Sequence, residues 1–281
     1  MDKECQAKEK RIERGIFWRF YEHTKQTDMK KNIIYDESNE LTMKKMQSNC
    51  IDLIITSPPY NIIRSEAKDR GYDLYKDGMT NNEYIKWTLR IFKDFDRILK
   101  KDNVVLYNMS YGTENPTLMS LVISDIIRES NFTLADILIW KKKNASPNNM
   151  SSNKMTRIVE YIYVFCRKDE FDTFNCNKKI VSHRKTGQAN YENVFNFINA
   201  KNNDGSTDIN KATFSSELVR KLTKIYAKPN SIIYDPFMGT GSTAAACLID
   251  GHNYIGSEIS KAQCEYAEKR IKPLKSQLNL F

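Results

Sequence analysis

Ser57-Pro58-Pro59-Tyr60 gathers one hydroxyl, backbone carbonyls stiffened by two prolines and one aromatic ring into four residues. The run before it, residues 51–55, is almost entirely apolar and β-branched and has no helical period, which reads as a short buried strand. Neither proline has an N–H to donate to a sheet ladder, so the chain must leave the strand in a stiff, extended loop. Such a loop suits a flat, hydrogen-bonding ligand such as a nucleobase. The ring can stack on it, and the oxygens can hold an exocyclic amino group. The plainer alternative is a strand ending in a Pro-Pro turn, with Tyr60 packed as core.

A second group of residues decides between these readings. Asp235-Pro236-Phe237-Met238-Gly239-Thr240-Gly241-Ser242-Thr243 follows an apolar strand and opens a helix, and Glu258 ends the next strand, 19 residues after Gly239. Glycines at these positions allow a tight turn and close approach of backbone to a ligand, and a carboxylate at this spacing can accept from ribose hydroxyls. An NAD enzyme is one rival reading. Against it, Asp235 at the strand end would repel a pyrophosphate but could accept from a ligand's ammonium.

The elements that position these groups are legible from periodicity. Strands are expected over 33–35, 51–55, 102–108, 134–140, 158–166, 231–234 and 254–257. Thr80-Asn81-Asn82-Glu83 is a capping box opening an amphipathic helix to about Lys100, and Pro116 suits the first turn of another helix. Further helices are expected over 213–227, from the Gly-rich turn to Gly251, and after Ser260. Strands alternating with helices predict an α/β fold: a doubly wound, mostly parallel seven-stranded sheet with helices on both faces. Residues 61–79 form a polar loop whose length behind a candidate site suggests a functional role.

From about 167 to 210 the pattern breaks into a polar stretch, with basic residues interleaved with Tyr191, Phe195 and Phe197, and this reads as an insertion. The expected organisation is an N-terminal basic and aromatic extension (1–30), a first half (31–167), the insert (168–210), a second half (211–272) and a tail (273–281). Residues 1–30, with Ile16-Phe17-Trp18-Arg19-Phe20-Tyr21, are expected to dock on the body as a helix.

The 281 residues carry 44 Lys and Arg against 35 Asp and Glu, a formal charge of +9, which favours anionic partners, nucleic acid first. No apolar run is long enough for a membrane span, and Met1-Asp2-Lys3-Glu4 is too charged for a signal peptide. The 6 cysteines form no C-x-x-C pair and the 3 histidines are scattered. Neither a metal site nor a disulfide framework is expected, and the location expected is cytoplasmic.

Together, Thr56-Ser57-Pro58-Pro59-Tyr60, the Asp235 to Thr243 run and Ile255-Gly256-Ser257-Glu258 resemble the amino-DNA methyltransferases. With the catalytic loop first and the cofactor loop last, the order is similar to that of the circularly permuted group called β. The resemblance implies a Rossmann-like methyltransferase fold and S-adenosyl-L-methionine as cofactor. It implies a catalytic role for Ser57, Pro58, Pro59 and Tyr60, and a cofactor pocket drawing on Asp235, Pro236, Phe237, Gly239, Gly241, Ser242 and Glu258. Asp235 would lie near the methionine part, Glu258 on the ribose, and Asp36 or Glu37 near the adenine. Thr213 and Phe214 stand where the family often has a His-Pro stretch that this chain lacks. The insert falls at the family's target-recognition region. Lys141, Lys142, Lys143, Lys178, Lys179, Arg184 and Lys185 are the candidates for contact with double-stranded DNA.

The implied reaction is in-line methyl transfer to an exocyclic nitrogen. The lone pair of that nitrogen is delocalised into the ring and must be freed by acceptors on its hydrogens. These are assigned to the Ser57 hydroxyl and the Pro58 carbonyl, with Tyr60 stacked on a flipped-out base. Serine before Pro-Pro-Tyr resembles the N4-cytosine enzymes, with N6-adenine the alternative and a non-catalytic DNA-binding module the alternative of another class. A C5-cytosine mechanism needs a Pro-Cys nucleophile, and no proline here precedes a cysteine. The resemblance further implies a site-specific bacterial or archaeal restriction-modification enzyme, with a cognate restriction endonuclease as functional partner. A homodimer is a further candidate. The tail Ser276-Gln277-Leu278-Asn279-Leu280-Phe281 resembles a sliding-clamp-binding peptide, and could equally tuck against the body.

Overall fold

The computed structural model describes residues 29–61, 78–110, 115–145, 152–153, 155–205 and 213–278. The expectations placed on the N-terminal helix, on most of the 61–79 loop and on the last three residues of the tail lie outside the described residues.

In chain order the elements are β1 (Ile33–Asp36), α1 (Asn39–Lys45), β2 (Leu53–Thr56), α2 (Asn81–Ile98), β3 (Val105–Met109), α3 (Leu118–Glu129), β4 (Phe132–Lys142), β5 (Val159–Arg167), β6 (Ile180–His183), β7 (Ala189–Tyr191), β8 (Phe197–Ala200), α4 (Ser216–Tyr226), β9 (Ile232–Asp235), α5 (Ser242–Asp250), β10 (Asn253–Glu258) and α6 (Lys261–Leu278). Eight strands form one sheet in the order β1-β10-β9-β2-β3-β5-β4-β8, and β6 pairs with β7 as a separate ribbon. All pairs in the large sheet are parallel except those that β5 makes with β3 and β4.

The α/β doubly wound sheet expected from the sequence is present, with all seven anticipated strands. The eighth, β8, comes from the insert. Phe197-Ile198-Asn199-Ala200 alternates exposed and buried residues, the pattern of a strand with one covered face, in a stretch too polar overall to announce it.

Period-2 alternation explains the two cores. In β2, Leu53 and Ile55 pack with α4, α5 and α6 on one face of the sheet, while Ile54 packs with α1, α2 and α3 on the other. Thr80 and Glu83 close the anticipated capping box at the start of α2. The final helix does not stop at Pro273 but continues to Leu278, because Ile271 and Leu274 on either side of the proline still have core to pack against.

Candidate functional site

β2 leads through α2 to β3 on one side, and β9 leads through α5 to β10 on the other, yet β2 and β9 are direct neighbours. The chain therefore departs in opposite directions from adjacent strand ends, and the loops part to leave a crevice there. A cavity of about 280 Å³ opens at this point. Its walls include Ser57 and Pro59 after β2, Pro236 and Phe237 after β9, and Glu258, Ile259 and Ser260 after β10. Ser38, Asn39 and Glu40 after β1, together with Met79, Trp87, Ser257 and Gln263, complete it.

The Gly-rich turn is shaped by its own hydrogen bonds. Gly239 and Gly241 both have positive φ, 53° and 82°, and a Cβ on Gly241 would lie 2.9 Å from the Ala267 Cβ of α6. Glu258 holds the turn against β10: one carboxylate oxygen accepts from the Gly239 N–H at 2.8 Å and the other from the Ser260 N–H at 2.9 Å. Each carboxylate oxygen has two lone pairs, so the same group can also receive hydroxyls from a ligand in the cavity. Asp235 is fully buried, does not line the cavity, and accepts from the Phe237 N–H at 3.0 Å and the Thr243 hydroxyl at 2.6 Å. Burial pushes its carboxyl up to about 7, against the lowering effect of those bonds. Ser242 is also buried, and its hydroxyl accepts from Arg270 of α6 at 3.2 Å.

The 57–60 loop is held just as closely. Tyr84 of α2 donates its hydroxyl to the Pro59 carbonyl at 2.7 Å. Tyr84 and Trp87 are in tilted ring contact at 5.3 Å, and Trp87 meets Phe237 at 5.6 Å, so one aromatic row joins the two loops. Pro58 is buried, and Tyr60 is half-buried against the core with its hydroxyl 3.3 Å from both Asn108 Oδ1 and Glu160 Oε2. Burial, and after it the charge of Glu160, raise the Tyr60 pKa well above that of a free phenol, against the lowering effect of a side-chain hydrogen bond with Ser57. Asn61 staples the ends of the following loop together: it donates to the Met79 carbonyl at 2.7 Å and accepts from the Gly78 and Met79 N–H groups at 3.0 and 2.9 Å.

The structure thus brings Ser57, Pro59, Pro236, Phe237 and Glu258 to one cavity, while Pro58, Tyr60, Asp235, Gly239, Gly241 and Ser242 lie beside these residues in the same loops and do not line it. Asp36 is exposed, and Glu37 is bonded to Thr42 and Lys45, while the three residues after them make the wall. Thr213 is half-buried, Phe214 packs on the core, and neither lines the cavity. Of the basic candidates, Lys142 pairs with Glu160 and Lys143 with Glu217, both at 2.5 Å, and Lys141 is half-buried. Lys178, Lys179, Arg184 and Lys185 are exposed on and beside the β6–β7 ribbon.

Sequence reasoning missed Ser38, Asn39, Glu40, Met79, Trp87, Ser257, Ile259, Ser260 and Gln263. Position alone could have found the residues that immediately follow the ends of β1 and β10. Trp87 and Met79 carry no spacing signal. Chemically, the cavity combines an apolar wall (Phe237, Trp87, Met79, Ile259) with amide, hydroxyl and carboxylate groups, a composition that fits an aromatic heterocycle carrying a sugar.

Residues 51–269 match the N6/N4 family model described as DNA methylase. The Type II methyltransferase M.BglII of Bacillus subtilis is 24% identical over 270 residues, spanning 89% of this chain and 71% of its own. The DNA adenine methyltransferase YhdJ of Escherichia coli (strain K12) is 21% identical over 246 residues, 82% of this chain and 79% of its own. Among solved structures, the cytosine-N4-specific PvuII DNA methyltransferase aligns with a TM-score of 0.62 at 17% identity, covering 87% of this chain and 91% of that one. At that identity the likeness is one of fold.

Proposed function

The chain belongs to the N6/N4 family of DNA methylases, which use S-adenosyl-L-methionine, and from that membership we propose that it methylates the exocyclic N4 of cytosine in duplex DNA. The observation that carries the reading is the shared cavity: Ser57 lines the same space as Glu258, Pro236 and Phe237. An acceptor for an amino group and a cradle for an adenosyl group open onto one space.

S-adenosyl-L-methionine, when bound, supplies a methyl group activated by its sulfonium. Ser38, Asn39, Phe237, Trp87, Glu258 and Gln263 are the residues that would hold it, with Glu258 accepting from the ribose. Asp235 serves by bracing the Gly-rich turn from behind. On the acceptor side, Ser57 Oγ and the Pro58 carbonyl would accept hydrogen bonds from the two amino N–H groups, and one of those protons leaves to solvent after the methyl is transferred. The nitrogen lone pair is then no longer shared with the ring and points along the line of attack. Tyr60 offers a stacking surface for a base that has left the helix, and much of the acceleration comes from holding the two reactants in line.

Ser57, a hydroxyl acceptor where the adenine enzymes more usually carry a carboxylate or amide, supports cytosine. The adenine specificity in the name of YhdJ supports N6-adenine as the second reading. M.BglII is a Type II methyltransferase by name, which supports a restriction-modification role with a cognate endonuclease. The β6–β7 ribbon, basic and apolar, is the segment we assign to target recognition. A sliding clamp held through residues 277–281 is a separate proposal, and clamp recovered equally with and without those residues would remove it.

Transfer of labelled methyl into unmethylated bacterial DNA, with cofactor affinity measured alongside, tests the reading. Ser57→Ala is expected to lose turnover by at least roughly a hundredfold while cofactor affinity holds. Loss of cofactor binding instead would show that Ser57 has the wrong role.

A further inference from the structure

Tyr60 is tethered at the far end of its side chain. Its hydroxyl reaches two acceptors, Asn108 Oδ1 on β3 and Glu160 Oε2 on β5, each at 3.3 Å. Both acceptors are themselves held. Asn108 donates its Nδ2 to the Tyr161 carbonyl at 3.0 Å, which turns its amide oxygen toward Tyr60. The other oxygen of Glu160 takes Lys142 Nζ at 2.5 Å, and Lys142 lies 5.1 Å from the centroid of the Trp140 ring. Glu160 and Trp140 are register partners across β5 and β4, so the chain of contacts runs from the 57–60 loop across three adjacent strands.

A half-buried ring needs no hydroxyl in order to pack. The loop backbone is already fixed by Tyr84 at the Pro59 carbonyl. What the hydroxyl contacts add is control of the ring's swing and tilt about its own torsions, and that matters for a surface on which a planar base must lie.

We propose that Asn108 and Glu160 are positioning residues that fix the Tyr60 ring for stacking on the target base, and that Lys142 acts by orienting Glu160 rather than by contacting phosphate. The inference rests on the reading of Tyr60 as the stacking surface. Its energetic signature belongs in turnover, since the Tyr60 hydroxyl is held by β3 and β5 while the cavity draws its other strand-end walls from β1, β9 and β10, and a misaligned base slows the chemical step.

A double-mutant cycle on Tyr60→Phe and Glu160→Ala tests it, with kcat and KM for methyl transfer to DNA and the Kd for S-adenosyl-L-methionine as readouts. Each single change is expected to lower kcat roughly tenfold, the scale of one hydrogen bond to a charged acceptor, with cofactor Kd unchanged. The double variant is expected to be no slower than the slower single. Losses that multiply would mean Glu160 acts independently of the Tyr60 hydroxyl and would overturn the proposal. A Tyr60→Phe enzyme as fast as the wild type would overturn it too, and that nearly isosteric variant decides the matter if Glu160→Ala does not fold. Wild-type protein that transfers no methyl to DNA would instead refute the function from which the inference starts.

Discussion

Asp235 shows how position in a motif and direction of a side chain can part company. Its place at the end of β9 is legible from the sequence, but its carboxylate turns inward to the Phe237 N–H and Thr243. Desolvation raises its pKa to about 7, above the ~3.9 of an exposed aspartate. The native state therefore binds this proton more tightly than the unfolded chain between about pH 4 and pH 7, and the contribution to stability falls as pH rises through that window. Asp235→Asn removes the titration. The melting temperature of the variant minus that of the wild type is expected to rise from pH 4 to pH 7, and a flat difference would place the titration elsewhere. Ser57, Phe237 and Glu258 line the cavity because each lies at or within two residues of a strand end that the sheet fixes. Trp87 and Met79 reach it only through the packing of α2, which no local spacing records.

The elements were read most successfully where backbone chemistry leaves a mark. A capping box, a glycine after a helix and β-branched runs each report a local constraint, and α2, the end of α5 and seven strands appear where those marks stand. β8 was missed because its exposed face is as polar as the loop around it, and the passage of α6 through Pro273 because packing of Ile271 and Leu274 outweighs the missing hydrogen bond. The Gly-rich turn makes a sharper demand. Gly241 combines a φ of 82° with a Cβ position 2.9 Å from Ala267, so Gly241→Ala is strained in torsion and in contact. It is expected to destabilise the protein by at least about 1 kcal/mol in urea unfolding and to weaken cofactor binding with it. Asn61→Ala should act on the other rim. It leaves the Gly78 and Met79 N–H groups and the Met79 carbonyl without their partner, at roughly 1–3 kcal/mol, and displaces a residue of the cavity wall.

At the scale of the whole molecule, a net charge of +9 announced an anionic partner but not which cations meet it. The fold sorts them. Lys142 and Lys143 are engaged with Glu160 and Glu217, while Lys178, Lys179, Arg184 and Lys185 stand exposed on and beside the ribbon that also exposes Val181 to 63% and Tyr191 to 53%. Replacing the four ribbon cations with glutamine should flatten the salt dependence of DNA binding by about 0.9 in log–log slope for each phosphate that is no longer neutralised, whereas Lys142→Gln should leave that slope alone and lower turnover. The sheet places Ser57 and Glu258 on one cavity at a switch point although about two hundred residues separate them in the chain. That juxtaposition is the centre of the functional reading, and identifying the modified nucleoside tests it most directly. Unmethylated DNA incubated with wild-type protein and S-adenosyl-L-methionine, digested to nucleosides and resolved by mass spectrometry, is expected to contain N4-methylcytosine, and none after incubation with Ser57→Ala. N6-methyladenine would replace the base assignment, and 5-methylcytosine or no methylated nucleoside would contradict amino-group transfer at this site.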